Sequence, residues 1–361
     1  MFFYQICLLL LWQPFPLAES KLVAALFCPH GDIALDPTFL EPNSKAREAG
    51  DEIAKASRAA ASWFSTRHEL DVIFLSTPHG IQLTHDFGIY LGRQASGSIN
   101  ITGDGSNHKQ PYTVSLPPIE LAGDLSLDLV VELTKNMNNG NPFNVSGIAT
   151  SADGAQDVPL EWAEIIPLLL FPNHKSRYNH RYIIWSYPLR RYTESPEMVP
   201  ELLAVGNALR AWMEARPLKI GVLISGDMSH THQASGPYGY SNASAAFDAA
   251  VGTWATNPCQ HASTLLKTAR ELQSNALSCG FTGMVLLHGM LCGDLELDDD
   301  NHSGSSSRKW EPLDNDRVFV NRNATYYGMM AATFDSSSTS TASRMKRQST
   351  EPFSTSEGVA E

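Results

Sequence analysis

"LVAALFCPHGD" occupies residues 22–32 and decides how the rest of the chain is read. Its six leading residues are all apolar, with no polar residue alternating among them. That pattern describes a strand covered on both faces, as in a parallel sheet packed between helices. The run ends on His30, held between Pro29 and Gly31. A second segment, "DVIFLSTPHG" at 71–80, repeats the arrangement and delivers His79. A third, "IGVLIS" at 220–225, leads into "GDMSHTH", which carries Asp227, His230 and His232.

Working outward, "SKAREAGDEIAKASRAAASWFSTRH" (44–68) is rich in good helix formers, with Ser44 as its cap. A strand, this helix and a second strand make an opening β-α-β unit, whose strands are then parallel. The polar, Gly/Asn/Ser-rich segment 94–115 reads as loop or short hairpin. A helix follows within 120–142, stopped by Asn139-Gly140. Further strands are expected at 181–186, 220–225 and 283–288, with an amphipathic helix at 196–216 and another helix at 259–278. The fold class is therefore α/β, a mostly parallel central sheet flanked by helices. Its active site is expected at the carboxyl ends of the strands, where ligands gather in open parallel sheets.

Composition divides the chain into a leader at 1–20, one catalytic domain at 21–334 and a Ser/Thr-rich tail at 335–361 with the composition of disorder. "GDLELDDDNHSGSSSRK" (293–309) is an acidic, Ser-rich insertion. The leader has the apolar length of a signal peptide but no Lys or Arg before Lys21. Five glycosylation-type triplets, at Asn100, Asn144, Asn242, Asn301 and Asn323, fit a secretory route. The sequence leaves both a cytoplasmic and a secreted location open. Nothing after Lys21 is long and apolar enough to span a bilayer. A net charge of −12, with no Lys/Arg-rich run, argues against nucleic acid as a partner. Apart from Cys7 in the leader, Cys28, Cys259, Cys279 and Cys292 are too few and too scattered to read as a disulfide framework, and there is no C-x-x-C.

Two neutral imidazoles converging with an anionic ligand suit zinc, iron, nickel or copper. A face of two histidines and one carboxylate leaves positions open for substrate and oxygen on Fe(2+). A lone histidine at a turn more often bonds only to the backbone. Three strand ends carrying histidine, two of them in matching Pro-His-Gly settings, outweigh that bland reading. The chain contains no phosphate-binding loop, no H-E-x-x-H, no G-x-G-x-x-G after a strand and no nucleophile elbow.

"CPHGD" (28–32), "STPHG" (76–80), "EWAEIIPL" (161–168), "ISGDMSH" (224–230), "CGFTGMVLLHGML" (279–291) and "TYYGMMAATF" (325–334) follow one another in this order. Together they resemble the class III extradiol ring-cleavage dioxygenases, the superfamily of the protocatechuate 4,5-dioxygenase catalytic subunit. Memo-like proteins share that fold. The resemblance implies that His30 and His79 bind a non-haem Fe(2+) and that His230 is the acid-base residue. It implies a catechol-type aromatic diol and O2 as substrates, with the ring cut beside rather than between the two hydroxyls. A catechol must shed protons to chelate iron and a proton must later be returned, which a histidine of ordinary pKa near 6.5 can do.

The third ligand departs from the pattern. The family usually supplies a glutamate where this chain reads "NALSCGFTG" (275–283), so Ser278 or Cys279 stands in its place. Memo-like relatives have a cysteine before a glycine here, which makes Cys279 a thiolate candidate, with Glu271 the alternative carboxylate. A buried, inert thiol remains open for Cys279. Glu164 falls where the family lines its substrate site, though a surface position on a helix would suit a glutamate too. Asp227 and Asp32 flank the histidines, able to touch substrate, orient an imidazole or cap a helix. His68, His85, His174 and His288 have no partner pattern. The resemblance leaves open a homodimer or a small second subunit. It also leaves open a Memo-like metal-binding protein without dioxygenase activity and, more remotely, a zinc hydrolase.

Overall fold

The computed structural model describes residues 21–335 apart from 68, 104–107, 138–142, 173–176 and 294–318. The leader, Asn139-Gly140, His68, His174, Asn301, nearly all of the acidic insertion and the tail beyond Asp335 lie outside the described residues. The first half runs β1 (Lys21–Cys28), α1 (Asp32–Leu35), α2 (Lys45–Arg67), β2 (Val72–Thr77), β3 (Phe87–Tyr90), β4 (Gln94–Ile101), β5 (Tyr112–Glu120), α3 (Gly123–Met137), β6 (Val145–Ile148) and β7 (Val158–Pro159). The second half runs α4 (Trp162–Leu169), β8 (Arg181–Ser186), α5 (Arg191–Glu194), α6 (Val199–Glu214), β9 (Lys219–Ser225), α7 (Ala243–Thr256), α8 (Arg270–Ala276), α9 (Phe281–Cys292), β10 (Phe319–Asn323) and β11 (Gly328–Asp335).

Eight strands form the main sheet in the order β10-β11-β1-β9-β2-β8-β3-β6. The central four, β1, β9, β2 and β8, are mutually parallel, and antiparallel contacts to β11 and β3 flank them. The opening β-α-β unit is thus parallel as expected, with β9 inserted between its two strands. Successive residues of the central strands feed two cores. Phe27, Phe74 and Val222 pack on one face, and Leu26, Leu75 and Leu223 on the other. That is why these strands read as unbroken apolar runs. Helix α2 begins as expected, with the Arg47 amide donating to Ser44 Oγ at 3.0 Å. The 94–115 segment is indeed a hairpin, β4 against β5, in a small second sheet completed by β7. Among the described residues no helix is long and apolar enough to cross a membrane.

Two expectations need correction. Residues 283–288 are not a strand but the middle of α9, a helix buried on every side. A helix surrounded by core has no polar face, so its sequence loses the 3.6-residue period and looks like a buried strand. Helix α9 lies against α6 at close range: a Cβ on Gly206 would stand 2.5 Å from the Leu286 carbonyl oxygen and 2.9 Å from the Gly289 Cα. The second correction concerns the cysteines, since Cys259 and Cys292 are joined in a disulfide. The bond ties the end of α9 to the segment after α7. The helix expected over 259–278 is a π-helical turn, Thr264–Ala269, continued by α8.

Candidate metal centre

His30 and His79 each follow the last residue of a parallel strand, β1 or β2, by two positions, and Asp227 does the same after β9. His230 lies three residues further along. Cys279 arrives from a different direction, on the bend between α8 and α9. Leu277 there adopts a left-handed conformation, φ 57°, that ends α8. The bend is clamped to the β9 end at Asp227. The carbonyl oxygen of Asp227 accepts from the Gly280 amide (2.9 Å) and from Ser278 Oγ (2.8 Å), and its own amide donates to Cys279 Sγ at 3.2 Å. The two backbones approach so closely that a Cβ on Gly280 would stand 2.8 Å from that carbonyl oxygen. A glycine at 280 is therefore what the bend requires if position 279 is to face the strand ends.

These segments bring two overlapping sets of donor atoms together. His30, His79 and Cys279 offer ligand atoms all within 4.8 Å of one another, and so do Asp227, His230 and Cys279. Cys279 Sγ stands 3.3 Å from His30 Nε2, and Asp227 Oδ2 stands 3.4 Å from the same nitrogen. Nitrogen and sulfur bound to one ion at their usual bond lengths stand about 3.1–3.6 Å apart at octahedral to tetrahedral angles. The donor set fits a single transition-metal ion.

Hydrogen bonding fixes which nitrogen of His30 is available. Ser225 Oγ donates to the Ala163 carbonyl and lies 2.8 Å from His30 Nδ1. With its one proton spent, the hydroxyl can only accept, so Nδ1 carries hydrogen and Nε2 presents a lone pair to the site. Burial, followed by the charges of His79, His230 and Arg191, holds His30 well below the ordinary histidine pKa. Burial, then Arg191 and His230, lowers His79 to about 3. Both rings are neutral at neutral pH, the form that binds metal. Burial, then the Asp227 charge, pushes the Cys279 thiol up to about 12, so it holds its proton until a cation displaces it. Burial lowers His230 to about 4, with a backbone hydrogen bond at Leu277 acting the other way.

The other expected residues are placed differently. Glu271 is exposed on α8 and belongs to neither donor set. Cys279, not Glu271, clusters with the two histidines, because the residue beside the clamped bend faces the strand ends while α8 turns Glu271 to solvent. Glu164 is fully buried rather than on a helix surface. Its oxygens accept from the Tyr90 hydroxyl (3.2 Å) and the Glu161 amide (3.0 Å), closing the first turn of α4. Burial raises it to about 7. Asp227 accepts from the His30 amide at 3.1 Å and so orients that residue. Among the described residues Asp32 shares no hydrogen bond with an imidazole; it accepts from the amides of Thr102 (2.7 Å) and Gly103 (2.9 Å) and anchors the end of β4. His232 bonds to Asp248 Oδ2 at 2.7 Å, His288 is a core residue accepting from Trp254 Nε1 at 3.1 Å, and His85 is exposed.

A cleft of about 450 Å³ opens beside the donors, with His79, Arg191, His230, Tyr238, Gln273 and Cys279 in its wall. Trp162 packs on His79 with ring centroids 4.9 Å apart, and Tyr238 stacks on His230 at 5.7 Å. A larger cavity, about 940 Å³, includes Arg93, Glu120 and Asp153 but none of the clustered donors. Sequence reasoning missed Ser225, Arg191 and Gln273. The serine ending an otherwise apolar strand was a readable signal; the arginine and the glutamine had none. No protein-family model matches the chain, and no curated protein matches it.

Proposed function

We propose that this protein is a non-haem Fe(2+) extradiol dioxygenase acting on a catechol-type aromatic ring, with the metal held by His30, His79 and Cys279. The observation that carries the reading is the convergence of these three donors within 4.8 Å at the carboxyl ends of parallel strands. Iron bound there supplies open coordination positions at which a diol and O2 can meet. The chain's own groups supply the rest. Ser225 keeps the His30 lone pair aimed at the ion. His230, neutral because it is buried, is free to take a hydroxyl proton from a diol in the cleft and later return it. Trp162 and Tyr238 give a planar ring aromatic surfaces to pack on.

A second reading rests on one specific observation: the third donor is a thiol, not a carboxylate. Thiolate ligands favour softer ions such as Cu(I) and Zn, which suits a Memo-like metal-binding protein without oxygenase activity. Metal analysis of anaerobically purified protein, followed by O2 uptake with a panel of catechols, separates the two. Iron near one per chain with oxygen uptake supports the dioxygenase. Bound metal without uptake on any catechol favours the second reading. A protein that takes up no metal rejects both.

A further inference from the structure

Arg191 is the exception among the charged groups around the cleft. Its residue is 5% exposed, and its Nε has no hydrogen-bond partner. Among the described residues no carboxylate pairs with it, whereas the adjacent Arg190 holds both oxygens of Glu201. What Arg191 has is the face of Tyr192, 3.9 Å from the ring centroid, and Nδ1 of His79, 3.3 Å from Nη2. A guanidinium only donates, so His79 Nδ1 must be the acceptor in that contact.

That acceptor is lost when His79 binds a metal. If Nδ1 is the ligand, its lone pair is taken by the ion. If Nε2 is the ligand, the neutral ring carries its proton on Nδ1, which then faces Arg191 donor to donor. Either way the buried cation in the cleft wall keeps only Tyr192 beside it and no anion, and burying a charge without a counter-charge is strongly unfavourable. Gln273, in the same wall and 5% exposed, has a related gap. Its Nε2 donates to the Ser278 carbonyl (2.8 Å), which fixes the amide orientation and leaves Oε1 without a donor.

We propose that Arg191 is a carboxylate-binding subsite in the wall of the metal cleft, and that Gln273 Oε1 accepts from a hydroxyl elsewhere on the same ligand, since a carboxylate itself has no hydrogen to donate. A planar guanidinium fork matches a carboxylate in two parallel hydrogen bonds. One unshared positive charge balances one carboxylate, whereas a phosphate near neutral pH carries more negative charge than that one cation offsets. The coupling to metal rests on the metal reading above; the subsite itself does not.

Isothermal titration of the full chain with benzoate and with its uncharged counterpart benzyl alcohol, both with anaerobically loaded Fe(2+) and without metal, tests the proposal. Benzoate is expected to bind the loaded protein at least tenfold more tightly than benzyl alcohol, and more tightly than it binds the metal-free protein. R191M should lower benzoate affinity at least tenfold and leave benzyl alcohol unchanged. R191K, which keeps charge and bulk, should fall between and serves if R191M does not fold. Equal binding of benzoate and benzyl alcohol, or unaltered benzoate binding by R191M or R191K, overturns the subsite. Displacement of benzoate by an equal concentration of inorganic phosphate overturns its assignment to carboxylates. Failure to take up metal would reject the dioxygenase reading alone; the benzoate preference of the metal-free protein would then decide the subsite.

Discussion

Cys279 Sγ and His30 Nε2 are 3.3 Å apart although 249 positions separate them in the chain. The contact joins the end of β1 to the bend before α9, and a metal shared by the two would bridge the same gap. Replacing the thiol with a hydroxyl keeps the size of the side chain and removes the soft donor. C279S should weaken metal binding by at least about tenfold, since loss of groups that merely orient a ligand already costs 10–100-fold. Competition with a chelator of known affinity measures it; an unchanged affinity would remove Cys279 from the ligand set.

Ser225 acts on the ion only through His30. S225A should therefore lower metal affinity by about 10–100-fold, beyond the stability that the metal-free protein loses when the Ala163 carbonyl and His30 Nδ1 are left without a partner. Restoration by S225T, which keeps the hydroxyl, would distinguish orientation of the imidazole from a packing defect.

The two histidines proposed as ligands are already neutral, but the Cys279 thiol, at about 12, is protonated at pH 7. Uptake of one ion should thus release about one proton. Calorimetry in buffers of different ionisation heats counts it. C279S should release close to none, and equal release by both proteins would contradict the thiolate assignment.

Glu164 titrates near 7 in the fold, against 4.5 for an unperturbed glutamate, because of its burial. Between these values the native state holds a proton that the unfolded chain has lost, so stability falls as pH rises from about 4.5 to 7. The total is about 3 kcal/mol. E164Q carries no charge at any pH, and its melting temperature should gain on wild type steadily across that window. Parallel melting curves from pH 4.5 to 8 would show that Glu164 does not titrate there.

The Cys259–Cys292 bond closes a loop of sequence separation 33. On the chain-entropy account such a bond stabilises by about 3–4 kcal/mol. The C259S/C292S double variant should unfold at correspondingly lower denaturant, and reducing agent should lower wild type towards the variant but leave the variant itself unaffected.

The parallel core was legible because a strand buried on both faces must be apolar along its buried length, as residues 22–27, 72–75 and 220–224 are. The histidines were legible because strand ends collect function. Residues 283–288 misled for the same physical reason that strands were readable: a helix enclosed by core is also apolar throughout. The Cys259–Cys292 pair left no trace, since contact between residues 33 apart depends on how α7 and α9 pack. Cys279 stood out only through the resemblance to Memo-like proteins, and its place beside the two histidines depends on the bend at Gly280; Arg191 looked like any surface arginine until the fold buried it.

Helix α9 is enclosed on every side, held against α6 where Gly206 and Gly289 meet and fastened at its far end by the disulfide. Cys279 sits immediately before it and so cannot follow an ion that wants longer or shorter bonds without dragging the middle of the protein along. On the metal reading proposed above, the choice among ions would then depend on packing some way from the ion, with the helix setting the gauge for any bond that Cys279 makes.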